Sequence, residues 1–299
     1  MPTWILFAIL APAIATLVAF IDKFNLTSQI KDYRGMALFS AVISLIVGGI
    51  AFIATGFPSL GFYNSLLVMG TGILSIFGAA LYFWLMSIED ASTVVFFLQT
   101  IPVFTMIMSF FFLGEKLSPT QLLGFVLILG PTLLLTKTGE TKRQLQKTAL
   151  ILIITSNILF ATSGVLYKFI VDQISFSQTI AFESFGWAFG GLFLFLSIPA
   201  VRNGFINTIK ELPKTAILFL FFNELLYVIS KFCSFYATSL GPVSLVSVIS
   251  GIQVFFGIIL GVVFTKFLPK YFNEQTDIKS LAYKFVLFLV TMGGMALIS

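Results

Sequence analysis

Residues 99–130 read QTIPVFTMIMSFFFLGEKLSPTQLLGFVLILG. Two apolar runs flank a short polar break, Gly114-Glu115-Lys116-Leu117-Ser118-Pro119. A helix crosses the hydrocarbon core with about 20 predominantly apolar residues. With its flanks, each run comes close to that length. The same alternation continues in both directions along the chain. It predicts ten spanning helices, over 3–24, 35–55, 63–86, 91–113, 119–136, 148–170, 178–200, 213–239, 243–265 and 281–298. Most breaks are short and carry turn chemistry, as at Gly56-Phe57-Pro58 and Gly241-Pro242. The polar stretches 137–147 and 266–280 read as linkers, which leaves nothing for a soluble domain.

Composition agrees with lipid as the solvent. Hydrophobic residues make up 58% of 299 positions and charged residues 10%, against about 25% charged in a soluble domain. So little charge cannot cover a water-soluble globule. The net charge of +5 sits in short loops between apolar runs, as in membrane proteins, and no basic domain exists to bind nucleic acid. The chain has no histidine and one cysteine, Cys233. No disulfide can therefore form within it, and the commonest general base and metal ligand is missing. A membrane-embedded enzyme would need a nucleophile–base pair or a metal cluster. No catalytic residues, metal site or cofactor are predicted. The opening MPTWILF lacks the positive flank of a signal peptide and reads as the start of an uncleaved first helix. Trp4, near a helix end, suits an interfacial belt.

The chain also repeats itself. SIEDASTVV at 87–95 aligns with SLGPVSLVS at 239–247, a shift that also places Thr105-x-x-x-Ser109 on Gly257-x-x-x-Gly261. Both are small-xxx-small patterns that let helices approach closely. Earlier in each half Lys23-Phe24 aligns with Lys168-Phe169, at a shift of 145 residues where the other matches have 152. The predicted organisation is a first five-helix repeat over 1–136, a linker over 137–147 and a second repeat over 148–299. Five is odd, so the second copy enters the membrane upside down. The fold class is an all-α membrane protein of ten transmembrane helices in two inverted repeats, an architecture recurrent among transporters. No P-loop is present to drive primary transport.

The block at 99–130 resembles the EamA-type members of the drug/metabolite transporter superfamily. Pro102, Gly114, Glu115, Lys116, Leu117, Gly124 and Gly130 carry the likeness. The second half departs from that pattern, with Gln253 and the longer FTKFLPKYFNEQTDIK at 264–279. The resemblance implies a ten-helix transporter that moves, and often exports, amino acids, other metabolites or drugs through a cavity between two repeats. The family has no invariant catalytic set, so it assigns no substrate residues here.

Several side chains invite a functional reading beside a structural one. Pro102 breaks the hydrogen-bond ladder of its predicted helix, as a hinge or as a static kink. Glu89, Asp90 and Ser92 suit capping of the following helix, and Glu115 suits a capping or interfacial role. Lys23 and Lys168 lie near helix ends, where snorkelling competes with a place in a gate. Glu183 lies about 8 Å into the seventh helix, and Glu224 and Lys231 are inside the eighth. Ionisable groups at such depth point to function, or to a salt bridge that only fixes packing.

The strongest pattern is on the eighth helix. Glu224, Tyr227, Lys231, Ser234 and Thr238 fall within about an 80° sector of one face, flanked by Phe219, Phe222, Leu226 and Ile229. Such a polar stripe should line a water-accessible cavity. In this reading Lys231 meets an anionic group, Glu224 takes an ammonium group or a coupling proton, and the hydroxyls add hydrogen bonds. Glu224→Gln and Lys231→Met are then expected to abolish transport with folding near normal. The predicted partners are a small-molecule substrate, membrane lipid and a coupling proton, in a prokaryotic inner or plasma membrane. A lipid-linked substrate flippase is the alternative within transport, and a channel or sensor the alternative outside it. All but three of the 17 basic residues fall on one side of the predicted topology, which places both termini outside.

Overall fold

The computed structural model describes residues 2–28, 30, 32–88, 98, 100–137, 147–267 and 278–298. All regular structure among them is helical. In chain order the helices are α1 (Thr3–Ser28), α2 (Met36–Ala54), α3 (Phe62–Ile88), α4 (Ile101–Leu113), α5 (Pro119–Lys137), α6 (Lys147–Val171), α7 (Phe176–Ser197), α8 (Pro199–Glu211), α9 (Lys214–Leu240), α10 (Val243–Ile249), α11 (Gln253–Phe267) and α12 (Ile278–Ile298). Seven helical spans are long and apolar enough to cross a membrane, and Ile101–Leu113, Pro119–Pro131 and Ala282–Ile298 are shorter apolar helices. Each predicted span contains helix. Glu89, Asp90 and Ser92, and most of both predicted linkers, lie outside the described residues.

Two features depart from the expectation. The stretch between the seventh and eighth spans, read as a loop, is the helix α8. It is not apolar enough for a membrane span, but Val201 and Phe205 recur on one face and pack against Phe39 and its neighbours. The ninth span is not continuous, because a 3-10 turn over Ser250–Ile252 separates α10 from α11. Pro102 is also displaced from its expected place in mid-helix. It occupies the first turn of α4, where a missing N–H removes no helical hydrogen bond.

The helices pack in a regular set of pairs. α1 lies on α9 and α3 on α6; α2 lies on α7 and α5 on α12. α3 also packs on α7, and α2 on α9; α4 packs on α6, and α1 on α11. At the α3–α7 crossing the backbones nearly touch. A Cβ on Gly186 would stand 2.6 Å from the Met69 Cα, so only glycine permits this approach. The buried apolar residues gather in two large cores. One, around Phe39, Ile76 and Trp187, joins α2, α3 and α7. The other, around Ile5, Ile128, Val248 and Ile249, joins α1, α5, α10 and α12.

Candidate functional site

A cavity of about 320 Å³ opens in the helix bundle. α9 crosses its wall and contributes Glu224, Tyr227, Ser230, Lys231, Ser234 and Thr238. All five residues of the predicted stripe therefore face one space. Of the flanking residues, Phe219, Phe222 and Ile229 are exposed and Leu226 is half-buried. Asp22 of α1, Ser40 of α2, Tyr82 of α3 and Trp187 of α7 are among the other polar residues of the wall.

The sequence reading gives Lys231 an anionic partner on the solute; in the structure its partner is a carboxylate of the protein. Lys231 does not meet Glu224. Its ammonium donates to Glu183 Oε2 at 2.9 Å, across from α9 to α7. The same ammonium lies 4.6 Å from the centre of the Trp187 ring, a cation–π contact. Both partners of the ion pair are buried, Glu183 completely. Glu183 therefore stands behind the cavity wall, one helical turn before Trp187. Glu224 instead accepts a hydrogen bond from the Ser40 hydroxyl.

Asp22 is the residue the sequence reading missed. It is 4% exposed and accepts from the Asn223 amide at 2.8 Å, so the neighbours Asn223 and Glu224 both act at this end of the cavity. A span ending at residue 24 makes Asp22 look interfacial. α1 in fact continues to Ser28, which carries Asp22 inward. The remaining stripe hydroxyl with a described bond, that of Thr238, donates to the Ser234 carbonyl of its own helix at 3.0 Å. Ser230 reaches across to the Ala11 carbonyl at 2.7 Å and ties α9 to α1.

Glu115 takes the capping role. Gly114, at φ 67°, ends α4 in the left-handed conformation, which turns the next residue toward α10. Glu115 Oε1 accepts from the Val243 N–H at 2.8 Å, and Oε2 accepts from the Ser244 N–H at 3.2 Å and from the Ser244 hydroxyl. A carboxylate on free N–H groups at a helix start is favoured by the hydrogen bonds and the helix dipole alike. Lys168 forms an ion pair with Asp172 at 2.7 Å, one turn further along.

Helices of spanning length around a cavity that carries buried ionisable side chains define a polytopic membrane protein. The sequence model of the EamA-like transporter family matches residues 2–137. That family is part of the drug/metabolite transporter superfamily and groups membrane transporters of small solutes. The likeness read from 99–130 thus holds for the first half of the chain. Chains of known structure match as well. One, a crystal structure of a protein, superposes with a TM-score of 0.67 over 97% of this chain and 95% of that one, at 18% identity. At that identity the match speaks for the fold alone, and it extends through both halves. No curated protein matches the chain.

Proposed function

We propose that the chain is a secondary transporter that carries a small metabolite across the cell membrane of a prokaryote by alternating access. The halves are 1–136 and 148–299, two inverted five-helix repeats joined at 137–147. The observation that carries this reading is the pairing of helices around the cavity. Number the ten predicted spans in order and exchange each with the span five places on. The α1–α9 contact then becomes the α6–α3 contact, α4–α6 becomes α11–α1, and α3–α7 becomes α9–α2. The α2–α7 and α5–α12 contacts map onto themselves. A pseudo-two-fold axis produces such a pattern. The repeat shift carries Ser250–Ile252 onto 98–100, and Thr100 there is a turn residue just before α4 and Pro102. We assign Pro102 and the Ser250–Ile252 turn as paired hinges.

Glu224, Tyr227, Lys231, Ser234 and Thr238 line the transport site, and Glu183 holds Lys231 in place. In proteoliposomes, Glu224→Gln is expected to lower uptake about tenfold or more, the cost of one lost charge-assisted contact to the solute, with expression unchanged. Uptake at the wild-type rate overturns the site assignment.

The distribution of basic residues supports both termini outside. In a Cys233→Ala background, an impermeant maleimide added to intact cells is expected to label Pro2→Cys and spare Thr141→Cys. Labelling of Thr141→Cys alone reverses the topology.

A further inference from the structure

The charges on the cavity wall do not balance. Asp22, Glu224 and Lys231 line it. Lys231 is already matched by Glu183 and covered by the Trp187 ring. Asp22 and Glu224 have neutral donors only, Asn223 and Ser40. Each uses one carboxylate oxygen in that bond, Oδ1 in Asp22 and Oε2 in Glu224. The other oxygen has no partner among the described residues, and neither residue forms an ion pair there. Both are at least 96% buried. Two buried carboxylates facing one space repel each other and are costly to keep charged without a cation.

A second observation concerns Trp187, beside Tyr227 and Lys231 in the same lining. Trp187 is fully buried, yet its indole N–H has no acceptor among the described residues. A buried donor left unmade is rare and calls for a partner. The cavity thus offers a place for positive charge at Asp22 and Glu224, and a place for an uncharged acceptor at Trp187. Its volume of about 320 Å³ is at the small end of ligand pockets.

We propose that Asp22 and Glu224 together bind the protonated amine of the transported solute, with the Trp187 N–H donating to a carbonyl, hydroxyl or ether oxygen of the same molecule. This rests on the transporter reading above and deepens it. The solute class is a small organic cation without a free carboxylate. An added carboxylate would have to compete with Glu183 for Lys231, and that bond is already made. When the amine leaves, protons on the two carboxyls take its place, so amine and proton exchange. The other ionisable groups around the pair are Tyr82 from α3, Tyr227 and Lys231 from α9 and, behind Lys231, Glu183 from α7.

The test uses the full-length protein in phosphatidylcholine vesicles with an acidic lumen and a trapped pH dye. Three sets of labelled probes are offered: the cations phenethylamine, putrescine and choline, the zwitterions phenylalanine, leucine and alanine, and the anions phenylacetate, succinate and glutamate. Uptake of at least one cation is expected, with lumen alkalinisation. That uptake falls about tenfold or more in Asp22→Asn and in Glu224→Gln, while Lys168→Gln transports normally. Where an Asn or Gln variant elutes as aggregate, Ser40→Ala serves instead, because it strips Glu224 of its donor and keeps the carboxylate. Uptake restricted to zwitterions or anions overturns this proposal and leaves the transporter reading standing. Cation uptake that is unchanged in every soluble variant also overturns it. If no probe of any class accumulates, both readings fall.

Discussion

Gly186→Ala is expected to destabilise the fold strongly. The α3–α7 crossing brings main chain against main chain. An added methyl at position 186 would overlap the Met69 carbonyl and stand 2.6 Å from its Cα. These are backbone atoms, so no rotamer change relieves the overlap and the helices must separate. Overpacking typically costs about 1–3 kcal/mol, sometimes more, and a rigid obstacle belongs at the upper end. Separation would also shift Glu183 and Trp187, which flank Gly186 on α7, away from Lys231. A melting midpoint lowered by roughly 10 °C is expected, at about 3 °C per kcal/mol for a chain of this size. The monodisperse peak on size exclusion should be lost with it. Gly70→Ala is the control: it lies on α3 with open space around it, and alanine there should be neutral or mildly stabilising. Equal stability of the two variants would refute the close crossing.

Lys231→Met should lower stability by about 3–5 kcal/mol, because removal of one partner strands a buried charge. The sequence reading, in which Lys231 meets an anionic group of the solute, expects this variant to fold almost normally; the buried Lys231–Glu183 ion pair argues for the opposite outcome. Glu183 is completely buried, and without Lys231 its carboxylate keeps no charged neighbour among the described residues. Glu183→Gln combined with Lys231→Met removes both charges and should recover most of the loss. The pair then shows a coupling energy of at least about 1 kcal/mol in a double-mutant cycle. Thermal unfolding of the four proteins in detergent measures it. Additive losses would mean that the two side chains act independently.

What the sequence revealed and what it hid have physical causes. Spans were legible because a run of about 20 apolar residues has few other uses. The stripe on α9 was legible because five polar residues at helical spacing share a face wherever that helix sits. Partners were not legible. Glu224 and Lys231 are close in sequence, yet Lys231 reaches a residue 48 positions away and Asp22 meets Asn223 from 201 positions away. Such choices are made by tertiary packing, which a single helical wheel does not contain. Asp22 was hidden by a boundary error of one helical turn. α8 was hidden because its composition is balanced, and only the spacing of Val201 and Phe205 gives it away. The capping of α10 by Glu115 was half visible: the residue type and the turn suggested a cap, but not which helix it would serve.

α3 and α9 share one more property. Each has 27 residues, roughly 40 Å of helix, against a hydrocarbon core of about 30 Å. α2, with 19 residues, fits that thickness nearly upright. Both long helices line the cavity. A spanning helix longer than the local hydrocarbon core is accommodated by tilting, by kinking or by thickening of the lipid around it. Because Tyr82 and Tyr227 on these helices line the cavity, solute uptake is expected to change with the acyl-chain length of the vesicle lipid. Equal rates in thin and thick bilayers would sink that coupling.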